Sequence, residues 1–173
     1  IYFARPDSIL NGELAYETRQ RLGAEVYREH PVEADIVVGI PDSSTPHAVG
    51  LAAAAKIPYA EAIIRNRYVG RTFIAPDQKA RAQGVQTKFN AMRGVVEGKR
   101  LLVVDDSIVR STTITRVIKM LRHAGAAEVH VRVASPPIKS TCHFGVDMAT
   151  LGELIAAKMT IEEITKYIDA DSL

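Results

Sequence analysis

Two adjacent carboxylates, Asp105 and Asp106, follow the apolar run Leu101-Leu102-Val103-Val104 and precede the hydroxyl residues Ser107, Ser111, Thr112 and Thr113. Carboxylates at the tip of a buried strand suit the vicinal hydroxyls of a sugar, or a hard cation such as magnesium, and they repel an anion. The hydroxyl stretch has the opposite preference. A loop running from a strand into a helix offers unpaired backbone N–H groups and the positive end of the helix dipole, which suit a phosphate monoester. Together the two halves describe a phosphorylated sugar. An isolated Asp-Asp reads as a turn and an isolated Ser/Thr run as a helix cap. The succession of strand, acidic pair, hydroxyl loop and helix is what gives the pair a chemical role.

A second segment, Ile40-Pro41-Asp42-Ser43-Ser44-Thr45, also leaves a strand and enters a helix, so its N–H groups and hydroxyls suit a second anion. Alone it would read as a turn with a cap. Arg65, Arg67, Arg71, Arg81 and Lys88 lie in a stretch from Arg65 to Asn90 too irregular to assign to elements. Their charge serves equally a loop closing over a polyanion and a solvated basic loop. His30, His47, His123 and His130 fit no metal-ligand spacing and are expected at the surface or in packing.

The elements that must hold these residues follow from apolar patterning. Ile36 to Ile40, Tyr59 to Ile64, Leu101 to Val104 and Val129 to Ala134 are expected strands. A helix is expected from Pro46 through Lys56, and another over Ile114, Val117, Ile118 and Leu121 until Gly125 stops it. Thr150 to Ala157 and Thr160 to Ile168 read as two short amphipathic helices. Strands that are apolar without alternation, separated by helices, predict an α/β fold with a mostly parallel sheet covered on both faces. Such sheets place their sites at the carboxyl ends of strands.

With 173 residues, 47% of them apolar, the chain is long enough for one globular domain. Its 22 basic and 20 acidic side chains are dispersed, which argues against nucleic-acid binding. One cysteine, Cys142, excludes an internal disulfide, and no charged-then-apolar leader is visible, so a reducing cytoplasm is the expected setting. No apolar run is long enough to span a bilayer. A first residue of Ile1 and an abrupt end at Asp171-Ser172-Leu173 lead us to expect a piece of a longer chain.

The segment Val104-Asp105-Asp106-Ser107-Ile108-Val109-Arg110 with Ser111-Thr112-Thr113 resembles the phosphoribosylpyrophosphate-binding signature of type I phosphoribosyltransferases, in the wording of the amidophosphoribosyltransferases. Asn66-Arg67-Tyr68-Val69-Gly70-Arg71-Thr72-Phe73-Ile74, with Pro76, Gln78, Arg81 and Lys88-Phe89-Asn90, resembles that family's flexible active-site loop. Tyr2 to Ser8 and Ala134 to Lys139 match as well, so the resemblance spans nearly the whole chain. One position departs: those enzymes carry Gly where this sequence has Ser111, and a glycine there frees the backbone to approach the phosphate.

The resemblance implies a type I phosphoribosyltransferase fold and transfer of ammonia to C1 of 5-phosphoribosyl 1-pyrophosphate, giving 5-phosphoribosylamine and pyrophosphate. Ser107 to Thr113, Ile108, Val109 and Arg110 included, would hold the 5-phosphate. Asp105 and Asp106 would take the ribose hydroxyls and, with Ser43, magnesium. Pro41, Asp42, Ser43 and Ser44 would hold pyrophosphate, while Tyr68, Arg71 and Lys88 would serve catalysis on the closing loop. It also implies an N-terminal glutaminase domain, absent here, as the source of ammonia from glutamine, together with inhibition by purine nucleotides and homo-oligomeric assembly. Cys142 matches a cysteine that ligates an iron-sulfur cluster in one branch of the family. A cluster needs four ligands, so none is expected in these residues alone, where Cys142 reads as a buried thiol. Two other functions share the acidic-pair loop: transfer to a nucleobase, and non-enzymatic sensing of the sugar diphosphate by a regulator.

Overall fold

The computed structural model describes residues 4–66, 88–142 and 151–173. Its centre is a parallel sheet of β3 (Ile36–Gly39), β6 (Arg100–Asp105) and β7 (Glu128–Val133), in the order β3-β6-β7. Ile36 to Gly39 pair with Leu101 to Val104, and Arg100 to Asp105 pair with Glu128 to Val133. Single parallel bridges add Tyr59 beside Val37 and Ser172 beside His130.

Alternation along the strands divides the core in two. Val38, Leu101, Val103, Val129 and Val131 face α4 (Thr112–His123), where Ile114, Val117, Ile118 and Leu121 recur at helical spacing, and α5 (Ile161–Ile168), with Ile164 and Ile168. Val37, Leu102 and Val104 face α2 (Thr45–Ala55), with Ala48, Leu51 and Ala52, backed by α1 (Ala15–Glu29). Both faces of the sheet are thus covered, as the unbroken apolar strands require. Gly125, at φ +96°, ends α4 where the sequence places the stop, and Ala126 N donates back to Leu121 O at 3.1 Å. Thr160 caps α5 in a reciprocal box with Glu163. Among the described residues no helix is long and apolar enough to cross a membrane.

Three expectations need correction. Tyr59 to Ile64 is not one strand of the central sheet. Tyr59 bridges β3, and the chain then turns away as β4 (Ile63–Arg65) to pair antiparallel with β5 (Phe89–Ala91), because only Ala62 and Ile63 are needed in the core. Of the helix expected over Thr150 to Ala157, the described part from Leu151 on is not α-helical. The chain makes two 3-10 turns, Leu151–Glu153 and Ile155–Ala157, since only Leu154, Ile155 and Ala156 are buried and Gly152 interrupts the run. The patterning also passed over α1 and the hairpin of β1 (Ile9–Leu10) and β2 (Glu13–Leu14), which turns on Asn11-Gly12, both at positive φ. A short α3 (Arg93–Val96) leads into β6.

α1 and α2 cross at backbone distance. A β-carbon added at Gly23 would lie 1.9 Å from the His47 carbonyl oxygen, and one at Gly50 would lie 1.9 Å from that of Gln20. Each helix presents a glycine to the other's backbone. Gly23→Ala therefore forces the helices apart, and we expect a loss of at least ~2 kcal/mol of stability despite alanine's better helix propensity. Gly94→Ala, in α3 with nothing within 4 Å, is the control and should be neutral or slightly stabilising. Denaturant unfolding of both variants checks this; equal midpoints would remove the close crossing as a constraint.

Candidate functional site

The register of β3 on β6 brings the two ligand-type segments together. Gly39 stands opposite Val104, and Ile40 N donates to Val104 O at 3.0 Å, so both strands end level. The Pro41–Ser44 turn, whose Pro41-Asp42 peptide is cis, and the loop from Asp106 to Ser111 leave the same sheet end and wall one cleft of about 800 Å³. That size suits a small-molecule site. Of the residues singled out by sequence, Pro41, Asp42, Ser43, Lys88 and all of Asp105 to Thr113 line it.

Ser44, wholly buried, locks the two walls together. Its Oγ donates to Asp105 Oδ1 at 3.0 Å and accepts from Asp106 N at 3.1 Å; the same N–H reaches Asp105 Oδ1 at 2.8 Å. One carboxylate oxygen of Asp105 is therefore committed to the fold. Asp105 is only 8% exposed. Burial, and then the negative Asp106 beside it, push its carboxyl up to about 6, against the pull of the Ser44 and Asp106 N–H bonds. Asp106, half-buried, carries the more accessible carboxylate, which accepts from Ser107 Oγ at 2.9 Å.

The loop beyond the acidic pair is held from behind. Ser135 N donates to Asp106 O and Ile155 N to Val109 O, both at 3.0 Å. Thr112, Thr113 and Ile114, the first turn of α4, line the cleft and bring the positive end of the helix dipole to it. Ser111 precedes the helix in the left-handed region, φ 61°, which explains why glycine is the resemblance's residue there. Its hydroxyl turns to the Arg110 carbonyl and does not cap the helix. Arg110 pairs with Glu153 at 2.8 Å.

β4 and β5 form a two-stranded stem at the mouth of the cleft, closed by Asn66 N donating to Lys88 O at 3.0 Å. Arg65 reaches across to Asp42 at 3.0 Å, and Lys88 lines the cleft beside it. Tyr68 and Arg71 lie outside the described residues, as do Arg67 and Arg81. No group of three His, Cys, Asp or Glu among the described residues could hold a metal ion by itself. The donor set of Ser43, Asp105 and Asp106 nevertheless fits magnesium, which keeps waters and takes one or two carboxylates together with substrate phosphates. Cys142 is in no disulfide and is half-buried, more exposed than expected.

One residue escapes the sequence reading, and another takes a different part from the one expected. Ser44, expected on pyrophosphate, is buried behind the turn, and only strand register shows that it, rather than Ser43, bonds Asp105. Arg19 is a 95% buried cation on α1 that lines the cleft, with Nη2 donating to Ala4 O at 2.8 Å. The spacing Ala15, Arg19, Gly23 was the available signal, since those are the three buried positions of that helix. His47 and His130 are buried in packing, and His30 and His123 are exposed.

Comparison with known proteins agrees with this geometry. The phosphoribosyl transferase domain family matches residues 6–137. The amidophosphoribosyltransferase of Bacillus subtilis is 54% identical over 173 residues, covering all of this chain and 36% of that protein. That of Pyrococcus horikoshii is also 54% identical, over all of this chain and 38% of its own length. The solved glutamine phosphoribosylpyrophosphate amidotransferase of B. subtilis, complexed with ADP and GMP, superposes with a TM-score of 0.90 at 54% identity, over 99% of this chain and 38% of that one. The chain spans somewhat over a third of the length of these relatives.

Two outcomes follow from the strained positions. With a folded-state value of about 6 against an ordinary 3.8, Asp105 contributes stability below pH 4 that is lost as the pH rises through 6, a difference of roughly 3 kcal/mol. Asp105→Asn, keeping the Oδ1 acceptor, should therefore raise the magnesium-free melting temperature above pH 6 and leave it unchanged near pH 4; a melting temperature that falls at pH 7.5 would show the carboxylate is not a burden. Ser111→Gly relieves the left-handed backbone and should stabilise by up to about 1 kcal/mol, with affinity for a sugar phosphate kept or improved. Weaker binding in calorimetry would contradict the assignment of this loop.

Proposed function

The chain belongs to the phosphoribosyl transferase domain family, and from that membership we propose that its cleft binds 5-phosphoribosyl 1-pyrophosphate and replaces the pyrophosphate with ammonia. The reading extends to the full-length protein, where glutamine supplies the ammonia and the product, 5-phosphoribosylamine, enters purine synthesis. The supporting observation is the one cleft that joins the Pro41–Ser44 turn to the Asp105–Thr113 loop at the ends of two adjacent parallel strands. Purine nucleotides share a ribose 5-phosphate with the substrate, so they would compete for the same loop. Assembly into homo-oligomers is carried over from the resemblance.

The reaction breaks the C1–O bond to pyrophosphate and forms a C1–N bond to ammonia, whose surplus proton passes to solvent or to the leaving group. No nucleophilic side chain is needed; positioning and charge stabilisation of an oxocarbenium-like state suffice. The N–H groups and hydroxyls from Ser107 to Thr113 hold the 5-phosphate. Asp106 and the uncommitted oxygen of Asp105 take the ribose hydroxyls. The Pro41–Ser44 turn receives the pyrophosphate, with Lys88 and Arg71 adding positive charge and Tyr68 helping to exclude water. Ser43, Asp105 and Asp106 would hold magnesium together with the substrate, and when bound it would supply positive charge to the leaving group.

Pyrophosphate release from 5-phosphoribosyl 1-pyrophosphate with magnesium tests this, comparing ammonium, glutamine and purine bases as acceptors. Release with ammonium is expected. Base-dependent release would move the protein to the nucleobase enzymes, and tight binding without release under any acceptor would make it a sensor. Asp106→Asn should lower ammonium-dependent kcat/KM by about 10²-fold or more, the scale of losing one preorganised charge.

A further inference from the structure

We propose that Phe89 is a positioning residue for Lys88, its ring holding the Lys88 ammonium ready at the cleft for the leaving pyrophosphate. The inference rests on reading Lys88 as a cation that serves the leaving group. Lys88 and Phe89 both line the cleft, and Lys88 Nζ stands 5.5 Å from the centre of the Phe89 ring, within the range of a cation–π attraction. The two residues are anchored differently. Phe89 opens β5 opposite Arg65 of β4 and packs, half-buried, against the apolar cluster that holds the inward residues of α4. Lys88 has its backbone fixed by Asn66 N, while its side chain is exposed. Neighbours within a strand point to opposite faces. Lys88 lies just before β5, outside the pleat, and can turn to the ring of the next residue.

The two cations of the stem are restrained in different ways. Arg65 is tied to the Asp42 carboxylate at 3.0 Å. Among the described residues the Lys88 ammonium meets no carboxylate; its contact is the Phe89 ring. An ammonium on a four-carbon stem loses rotamer freedom when a ligand fixes it, and that loss weakens binding. A carboxylate partner would restrain the stem, but it would also take N–H donors and offset the charge. An aromatic face restrains it through the negative side of the ring quadrupole. The charge and its donors then stay available to a phosphate oxygen. Because the core holds the ring, the restraint is in place before a ligand arrives.

Isothermal titration of the full-length protein with magnesium pyrophosphate and, separately, with ribose 5-phosphate tests the assignment in Phe89→Leu, Lys88→Met and the double variant. For Phe89→Leu, affinity for pyrophosphate should fall about three- to fivefold, the scale of an exposed cation–π contact, with ribose 5-phosphate changed less than about 1.5-fold. Phe89→Tyr keeps a ring and should bind pyrophosphate within about 1.5-fold of wild type. Added to Lys88→Met, Phe89→Leu should change pyrophosphate affinity by less than about 1.5-fold, because the ring acts through the ammonium. The same loss with or without Lys88 would reduce Phe89 to packing and overturn the inference. Unchanged pyrophosphate affinity in Phe89→Leu, equal weakening of both ligands, or a Phe89→Tyr as weak as Phe89→Leu would overturn it too. If Phe89→Leu does not fold, Phe89→Met, also without a ring, is read by the same contrasts. A wild type that releases pyrophosphate with ammonium, while Lys88→Met binds pyrophosphate equally well, overturns this inference and leaves the proposed function standing. A wild type that binds neither probe overturns both.

Discussion

The parallel register of β3 on β6 is the constraint on which the rest depends. Because successive side chains point to opposite faces, a slip of one residue would move Val37 and Val38 to each other's faces and empty both halves of the core. The same slip would separate Ser44 from Asp105, since that hydrogen bond spans 61 residues and exists only while both strands end level. Packing and chemistry are therefore set by one alignment. The hydrophobic faces fix the register, and the register fixes which loop atoms meet across the cleft.

The cleft is also where the fold departs from its own most comfortable arrangement. Asp105 is a carboxylate kept out of water beside another carboxylate, and Ser111 holds a conformation better suited to glycine. Neither residue improves packing. Both line the cleft, and such departures from comfort are expected where a site trades stability for preorganised charge and backbone shape. The two apolar clusters carry no such cost: the inward residues of β3, β6 and α4 are apolar at the spacing their structures demand.

What was legible in the sequence divides along physical lines. β3, β6, β7, α2, α4 and α5 announced themselves because each is buried on faces that leave a strong apolar pattern. α1 did not, because it meets α2 through Gly23 and its other buried residues are Ala15 and Arg19, so the burial is carried by residues that leave no strong apolar pattern. The Tyr59 to Ile64 run reads as one strand because apolar continuity cannot show a chain leaving one sheet for another. In the site, the segments and residue types were readable from local order alone. Which hydroxyl bonds Asp105, and that Arg19 joins from another helix, depend on contacts distant in sequence that no local pattern encodes. The resemblance supplied the family, and the 54% identity along the whole chain agrees with it.

The two single-residue bridges that flank the sheet have a bearing on association. Val37 exchanges both its peptide bonds with Pro58 and Ala60, and on the opposite side Val129 O and Val131 N are taken by Asp171 and Ser172, with the Asp171 carboxylate also receiving Val129 N. The outermost strands thus present few free peptide groups to a neighbouring molecule. Ladder extension, the usual route by which an open sheet recruits a second chain into a continuous ribbon or a fibril, is blunted on both sides by these short stretches of chain. At these two edges of the central sheet, association is left to side-chain surfaces, where specificity is set by shape and charge rather than by the indiscriminate backbone.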